Sequence, residues 1–258
     1  MRHRHATLAV SLLLMTVAAP SAAQQPVVPA APIVPADPVV PAAPVAAVVP
    51  GATGAVSGSV VVFKGALDGV RKADASGVVV YLEGPMDVEL EDRLAESPPP
   101  VHQIRQVNKH FTPAVSAVIR GTEVSFPNDD MIFHNVFSLS KAKRFDLGLY
   151  KSGSTKSVIL TRPGVIDVYC NIHPEMAAKI LVLDNPYFAV TGPDGGFTIA
   201  GVPPGTYPYV AWQARGEPVR GTVVVPQGAA VRVDPILVET PQSNLHTRKD
   251  GSPYGRYN

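Results

Sequence analysis

The sequence is poor in charged residues, and its few charges nearly cancel. Of its 258 residues 17% are charged, against about 25% in typical domains. Long solvent-facing helices need many Glu, Lys and Arg side chains, so a largely helical protein is disfavoured. The formal net charge of +1 provides no basic field that would attract phosphates. We therefore expect no nucleic-acid partner.

Cysteine is nearly absent, since Cys170 is the only one in the chain. A single cysteine excludes catalysis through an intramolecular disulfide or a CxxC pair. Proline and glycine, in contrast, are abundant, with 27 and 21 residues. This composition favours an all-β protein with proline-rich connections.

The chain also lacks an apolar run long enough to cross a bilayer, which needs about 20 residues. The apolar run near the N-terminus covers only residues 6–19. Basic residues precede that run, and Pro20-Ser21-Ala22-Ala23 follow it, which is typical of a secretory signal peptide cleaved after Ala23. We therefore expect residues 1–23 to direct export to the periplasm, and we expect no transmembrane anchor.

Residues 24–55 form a linker rich in Pro, Ala and Val. From Pro26 to Pro44 a proline occurs at every third position. Polyproline II has three residues per turn, so the pattern predicts an extended spacer whose proline rings line one edge. An inert spacer without a partner is the interpretation we favour.

From about Val56 onward the pattern changes to short apolar runs that alternate with polar residues, separated by turn signals. Such spacing is typical of a β-sandwich. The predicted strands cover residues 60–63, 78–82, 122–126, 135–138, 156–160, 165–170 and 179–183. Residues 241–258 are polar and without periodicity, and they are predicted to be a disordered tail with solvated side chains at His246, Arg248 and Lys249.

Candidate chemistry is concentrated where the strand 165–170 ends. Cys170 shares a predicted face with Ile166 and Val168, and His173 and Met176 follow it at three-residue intervals. A lone cysteine is often a buried and inert thiol. Here, however, a thiolate, an imidazole and a thioether lie close together in sequence, and these soft donors select copper.

A trigonal copper site with two imidazoles, one thiolate and an axial Met requires a second histidine. His134 fits, because it follows the turn at 128–130 and shares a strand face with Val136. His102 and His110 lie in less regular surroundings and are interpreted as surface or loop residues.

Residues 101–184 resemble the cupredoxins, the small blue copper proteins. The resemblance rests on the following segments: Phe111-Thr112-Pro113, Gly121 to Phe126, His134-Asn135, and the C-x-x-H-x-x-M spacing with Pro174 after the histidine, which is most similar to amicyanin and shorter than the plastocyanin loop. It implies a Greek-key β-sandwich that binds one type 1 copper ion through His134, Cys170, His173 and Met176.

The same resemblance implies that Asn135 ties the two ligand loops together, and that electrons leave through the exposed edge of His173. Met131 and Pro174 are candidates for an apolar patch around that edge. Two positions depart from the family pattern. Ile172 replaces a proline found in many relatives, which is expected to loosen the loop, and Glu175 introduces an acid expected to face solvent.

A second resemblance follows the copper region. Residues 194–207 match the D-x-x-F-x-I-x-x-V-P-x-G-x-Y signature of the carboxypeptidase regulatory-like, or transthyretin-like, β-sandwich. The first strands of that module correspond to residues 58–60 and 78–84. We therefore predict a discontinuous module of residues 56–86 and 186–240, with the cupredoxin region 101–184 inserted into one of its loops. A linear arrangement is the alternative.

The favoured function is a periplasmic blue copper protein, not an enzyme, that carries single electrons between transient protein partners such as a dehydrogenase, a cytochrome or an oxidase. One alternative is a copper storage or delivery protein without redox cycling. Another is a structural adhesin with a vestigial site. Copper-holding carriers generally use Met- and His-rich clusters, whereas the 5 Met residues here are scattered.

Overall fold

The computed structural model describes residues 52–84, 91–92, 95–97, 99–241 and 246–254. All of them belong to one of the two units of the chain, Ala47–Asn258. The predicted signal peptide and residues 24–51 of the predicted linker lie outside the described residues, as do residues 242–245 and 255–258 of the predicted tail. Across the described ranges, no helix is both long and apolar enough to cross a bilayer.

Ten strands form the half of the fold that carries the candidate ligands, which we call the site half (residues 102–183). They are β5 (His102–Gln103), β6 (Arg105–Val107), β7 (His110–Thr112), β8 (Val115–Ile119), β9 (Glu123–Pro127), β10 (His134–Leu139), β11 (Arg144–Tyr150), β12 (Thr155–Ile159), β13 (Gly164–Tyr169) and β14 (Ala177–Leu183). One sheet has the order β11-β10-β13-β14-β8 and another the order β12-β9-β5, and β6 pairs with β7.

These sheets pack face to face because their strands alternate buried and exposed side chains. Ile166 and Val168 of β13 join Val124 and Phe126 of β9 in one buried cluster. β13 and β14 are antiparallel, whereas β14 and β8 are parallel. The site half is therefore a β-sandwich whose core extends to the end of β13.

Ten further strands form the flanking half (residues 54–82 and 188–239). They are β1 (Gly54–Ser59), β2 (Val61–Lys64), β3 (Val70–Arg71), β4 (Val79–Leu82), β15 (Phe188–Val190), β16 (Gly196–Val202), β17 (Gly205–Trp212), β18 (Val219–Val225), β19 (Ala230–Arg232) and β20 (Ile236–Glu239). Their sheets have the orders β15-β4-β17-β18, β16-β1-β19 and β20-β2-β3.

Strands that precede the site half in sequence pair with strands that follow it. β4 lies between β15 and β17, and β1 lies between β16 and β19. A small apolar cluster that includes Val79 of β4 and Leu181 of β14 joins the two halves. The insertion of residues 101–184 into a loop of the flanking module stays a prediction.

The predicted all-β class is confirmed, and each predicted strand overlaps a strand of the structure. Within the site half, β5 to β8 and β11 were not predicted. The main difference concerns the tail, because residues 246–254 lie against the site half through the contacts described below.

Candidate metal centre

His134 is the first residue of β10, and a tight turn places it in the core. The side chain of Asn128 closes that turn by donating from Nδ2 to the Ile132 carbonyl (2.8 Å) and by accepting from the Asp130 amide (3.1 Å). The imidazole of His134 is fully buried. An Asn-Asp-Asp turn before an apolar strand therefore delivers a polar ring to the interior.

Cys170 lies directly after β13, where the predicted apolar face ends. Ile166, Val168 and Cys170 are all fully buried, so the three residues share one face of the strand, as predicted. The loop that follows turns back at once, because the Cys170 amide donates to the Met176 carbonyl (3.2 Å) and the Met176 amide donates to the His173 carbonyl (3.2 Å). These two bonds bring His173 over the thiol.

Three donor atoms of this region form a small triangle. Nδ1 of His134 lies 3.0 Å from Nδ1 of His173, and Sγ of Cys170 lies 3.9 Å and 3.6 Å from those two nitrogens. A point equidistant from the corners of such a triangle is about 2 Å from each, close to the usual length of metal–imidazole and metal–thiolate bonds. Among the described histidine, cysteine and acidic side chains, these three lie close enough together to share a metal ion.

The two remaining predicted site residues, Met176 and Asn135, lie next to Cys170. Met176 is fully buried in the same apolar cluster as Cys170. The Asn135 amide donates to the Cys170 sulfur, which connects the two ligand segments. Its side chain instead donates to Asp146 of β11 (2.7 Å), so the link between the segments comes from the main chain.

The thiol of Cys170 is neutral before any metal binds. Burial raises its pKa, and three main-chain N–H groups that donate to the sulfur oppose that shift: those of Asn135, Ile172 and His173. A proline at position 172 would have no N–H to donate. Ile172 also packs against the core, so both its main chain and its side chain contact the surroundings of the thiol.

The imidazole of His173 is held in the neutral form that metals bind. Burial lowers its pKa, and the neighbouring His134 lowers it further. The nearby Glu175, which acts in the opposite sense, is exposed, as its position in the loop suggested. A neutral imidazole keeps a lone pair for the metal without first losing a proton.

Asp130 is a candidate site residue that was not predicted from the sequence. Its carboxylate lies 2.8 Å from Nε2 of His134. It also accepts from the main-chain amides of Asn108 (2.5 Å) and Lys109 (2.8 Å), in the turn between β6 and β7. Burial raises the pKa of Asp130, but these hydrogen bonds and His134 outweigh burial, and the pKa is lowered overall. An ionised carboxylate at Nε2 fixes the proton there and turns Nδ1 toward the metal position.

The other candidate histidines are elsewhere. His102 lies 2.9 Å from the Ser116 hydroxyl, and the ring of His110 lies 2.7 Å from the carbonyl of Asn108. Neither belongs to the triangle.

The turn that buries His134 exposes an apolar surface on its outer side. Met131 is 90% exposed, Phe133 54% and Ile132 39%. Pro174 is partly exposed. Large apolar side chains are rarely left in water as a contiguous group unless they serve binding.

Comparison with known proteins gives partial likenesses of fold. No family model matches the chain, and no curated protein matches it. A copper-containing nitrite reductase from Thermus scotoductus SA-01 is 24% identical over 34% of this chain, with a TM-score of 0.32, and the match spans only 23% of the reductase.

Two smaller copper proteins match over nearly their whole length. A purple cupredoxin from Nitrosopumilus maritimus is 24% identical, with 31% of this chain and 98% of that chain covered and a TM-score of 0.29. The Cu(I) form of an amicyanin variant is 18% identical, with 40% and 97% covered and a TM-score of 0.31.

Proposed function

We propose that this protein is a type 1 copper protein that carries single electrons between protein partners in the periplasm. The observation that carries the proposal is the triangle of His134 Nδ1, His173 Nδ1 and Cys170 Sγ, with sides of 3.0, 3.6 and 3.9 Å. Two imidazoles and a thiolate at these separations match the trigonal donor set of blue copper sites.

The composition of the donor set supports copper over other metals. A structural zinc site would use four strong ligands, commonly several thiolates, whereas this chain has one cysteine. Met176, buried beside Cys170, supplies the weak thioether that accompanies two histidines and one cysteine in copper sites. Bound copper would supply one-electron chemistry by cycling between Cu(I) and Cu(II).

The surroundings of the donors support electron transfer over catalysis. His134, Cys170 and Met176 are fully buried, and the hydrogen bonds of the loop and of Asp130 fix their backbone and ring positions. If His134, Cys170, His173 and Met176 all bind the ion, no position stays open for a substrate. A site held in this way changes little in structure when one electron arrives.

The apolar surface around Met131, Ile132 and Phe133 supports a protein partner. It lies on the turn that carries His134, and the partly exposed His173 and Pro174 come from the second ligand segment. A small apolar contact suits weak, transient redox encounters. A dehydrogenase, a cytochrome or an oxidase is the kind of partner that such a surface would serve.

Titration of the metal-free full chain with Cu(II), followed by visible absorption and by electrochemistry, tests the proposal. We expect an intense visible band at one copper per chain and reversible one-electron reduction. His102→Ala is the matched control, because that histidine lies outside the triangle and its loss should leave the band unchanged. Copper binding without a reversible potential would favour storage or delivery, and absence of the band would refute the proposal.

A further inference from the structure

We propose that residues 246–254 form a strap that holds the ligand loop 170–176 in its metal-binding geometry, with Tyr254 as the main positioning residue. The effect on the loop follows from the contacts between the strap and the loop, whether or not copper binds. The consequence for copper rests on the proposed function.

The strap makes two hydrogen bonds to the ligand loop. The Tyr254 hydroxyl donates to the carbonyl of Cys170 (2.5 Å), the residue that supplies the thiolate. The Lys249 amide donates to the side chain of the neighbouring Asn171 (2.9 Å). The strap therefore holds the start of the loop at two adjacent residues.

Aromatic stacking fixes the other end of the strap. The ring of His246 stacks on Tyr169, the last residue of β13, with centroids 4.1 Å apart. The same imidazole lies edge-on to Tyr254, with its Nδ1 3.2 Å from the hydroxyl.

The strap also reaches the other ligand segment. Lys249 Nζ lies 2.5 Å from Asp146, and the other carboxylate oxygen of Asp146 accepts from the Asn135 side chain (2.7 Å). Asn135 follows His134 directly and donates its main-chain amide to the Cys170 sulfur. One short segment thus connects both parts of the chain that carry the donor triangle.

The strap has structure of its own. The Arg248 amide donates to the Ser252 carbonyl, and the Gly251 amide donates back to the Arg248 carbonyl, both at 2.9 Å. Asp250 caps the same turn by accepting from the Ser252 amide and hydroxyl. A preformed turn loses less conformational entropy when it docks than an extended tail would lose.

Not all of these contacts contribute equally. Lys249 and Asp146 are both about 40% exposed, and such surface ion pairs add little. The Tyr254 hydrogen bond is partly buried and ends on the backbone of a ligand. Its loss should therefore act on the loop more than the loss of the ion pair.

Amide hydrogen exchange of the metal-free full chain tests the contact with the loop. The probes are the amides of Cys170 and Met176, which close the loop. Tyr254→Phe removes the hydrogen bond to the Cys170 carbonyl, so the exchange of these two amides should become about fivefold faster. Tyr207→Phe is the matched control, because it removes a tyrosine-to-carbonyl bond of 3.0 Å in the flanking half. A chain ending at Pro241 should show a larger increase than Tyr254→Phe.

The copper-loaded proteins test the consequence for the metal. Transfer of Cu(I) to a chelator should be about fivefold faster in Tyr254→Phe, and the midpoint potential should shift, while Tyr207→Phe matches the wild type. Unchanged exchange in both Tyr254→Phe and the shortened chain would overturn the strap. Faster exchange with unchanged copper release and potential would overturn its positioning role. A wild-type protein without a visible band would refute the proposed function. The exchange measurements would then test the strap by themselves.

Discussion

The two halves of the fold differ in the polarity of their buried residues. The core of the flanking half is built from apolar residues, and few polar side chains are buried there. In the site half a series of polar residues is buried: Gln106, Ser116, Thr122, Ser125, Asn128, His134, Asn135 and Ser138. Buried polar groups cost free energy unless they are hydrogen-bonded. The flanking half shows that a sandwich of this kind can be built with few of them.

Several of the extra polar groups brace the turn before His134. Asn128 closes that turn, and Gln106 donates to the carbonyls of Phe126 (3.3 Å) and Pro127 (3.4 Å) immediately before it. Gln106 also donates to the hydroxyl of Tyr150 (2.5 Å). The site half therefore buries a polar framework close to the donor triangle, whereas the flanking half buries few polar side chains. We therefore expect substitutions at the donor triangle to change copper binding and substitutions in the flanking core to change stability.

Cys170→Ser should have the largest effect, because it removes the thiolate from the triangle. The visible band requires charge transfer from sulfur to copper, and serine is near in size but a poor soft donor. We expect complete loss of the band and of electron transfer, with circular dichroism and the unfolding transition nearly unchanged. A retained band would exclude Cys170 as the ligand.

Ile199→Ala tests the opposite role in the flanking half. Ile199 is almost fully buried in the core of that half, so its truncation leaves a cavity. The free energy of unfolding should fall by about 2–5 kcal/mol in denaturant titrations. The visible band of the folded protein should stay at its wild-type position. Ile236→Ala, at a position that is 50% exposed, is the control and should have little effect.

Asp130→Asn should weaken copper binding without removing a ligand. The substitution removes the negative charge at Nε2 of His134, and loss of such partners typically lowers metal affinity about 10–100-fold. Competition with a copper chelator measures the change, and the band should persist. Asp129→Asn is the matched control, since Asp129 pairs with Arg105 at 2.6 Å. Equal affinities in the two variants would contradict the role of Asp130.

Much of the fold and the candidate donor residues could be predicted from the sequence, because the patterns that indicate them span only a few neighbouring residues. Alternation along β13 placed Cys170 on one face with Ile166 and Val168, and the short spacing to His173 and Met176 indicated the candidate metal site. β11 was not predicted, although Phe145, Leu147 and Leu149 alternate with Asp146 and Gly148 in the pattern of a half-buried strand.

The strap and Asp130 could not be predicted, because their contacts depend on the tertiary structure. Residues 246–254 are polar and lack periodicity, and their order comes from aromatic stacking on Tyr169 and from the carbonyl of Cys170, more than 70 residues away in sequence. Asp130 precedes His134 by four residues, which indicates contact in a helix but not in a turn. Only the closed turn brings the two side chains together.

Among variants of the four candidate ligands, Met176→Leu should have the smallest effect on copper binding. If Met176 is the long axial ligand, it contributes little affinity beside two imidazoles and a thiolate, so copper and a visible band should be retained. The potential should nevertheless change, because the axial ligand tunes it. An apolar side chain stabilises the more highly charged Cu(II) form less, so we expect the midpoint potential to rise.

His134→Ala provides the contrast for that variant. It opens an equatorial position to water and should weaken copper binding outright, and it also leaves the Asp130 carboxylate without its imidazole partner. Copper titration and redox titration of the visible band, performed on both variants, distinguish an axial from an equatorial ligand. If Met176→Leu loses copper as completely as His134→Ala, or if its potential equals that of the wild type, then Met176 is not the axial ligand.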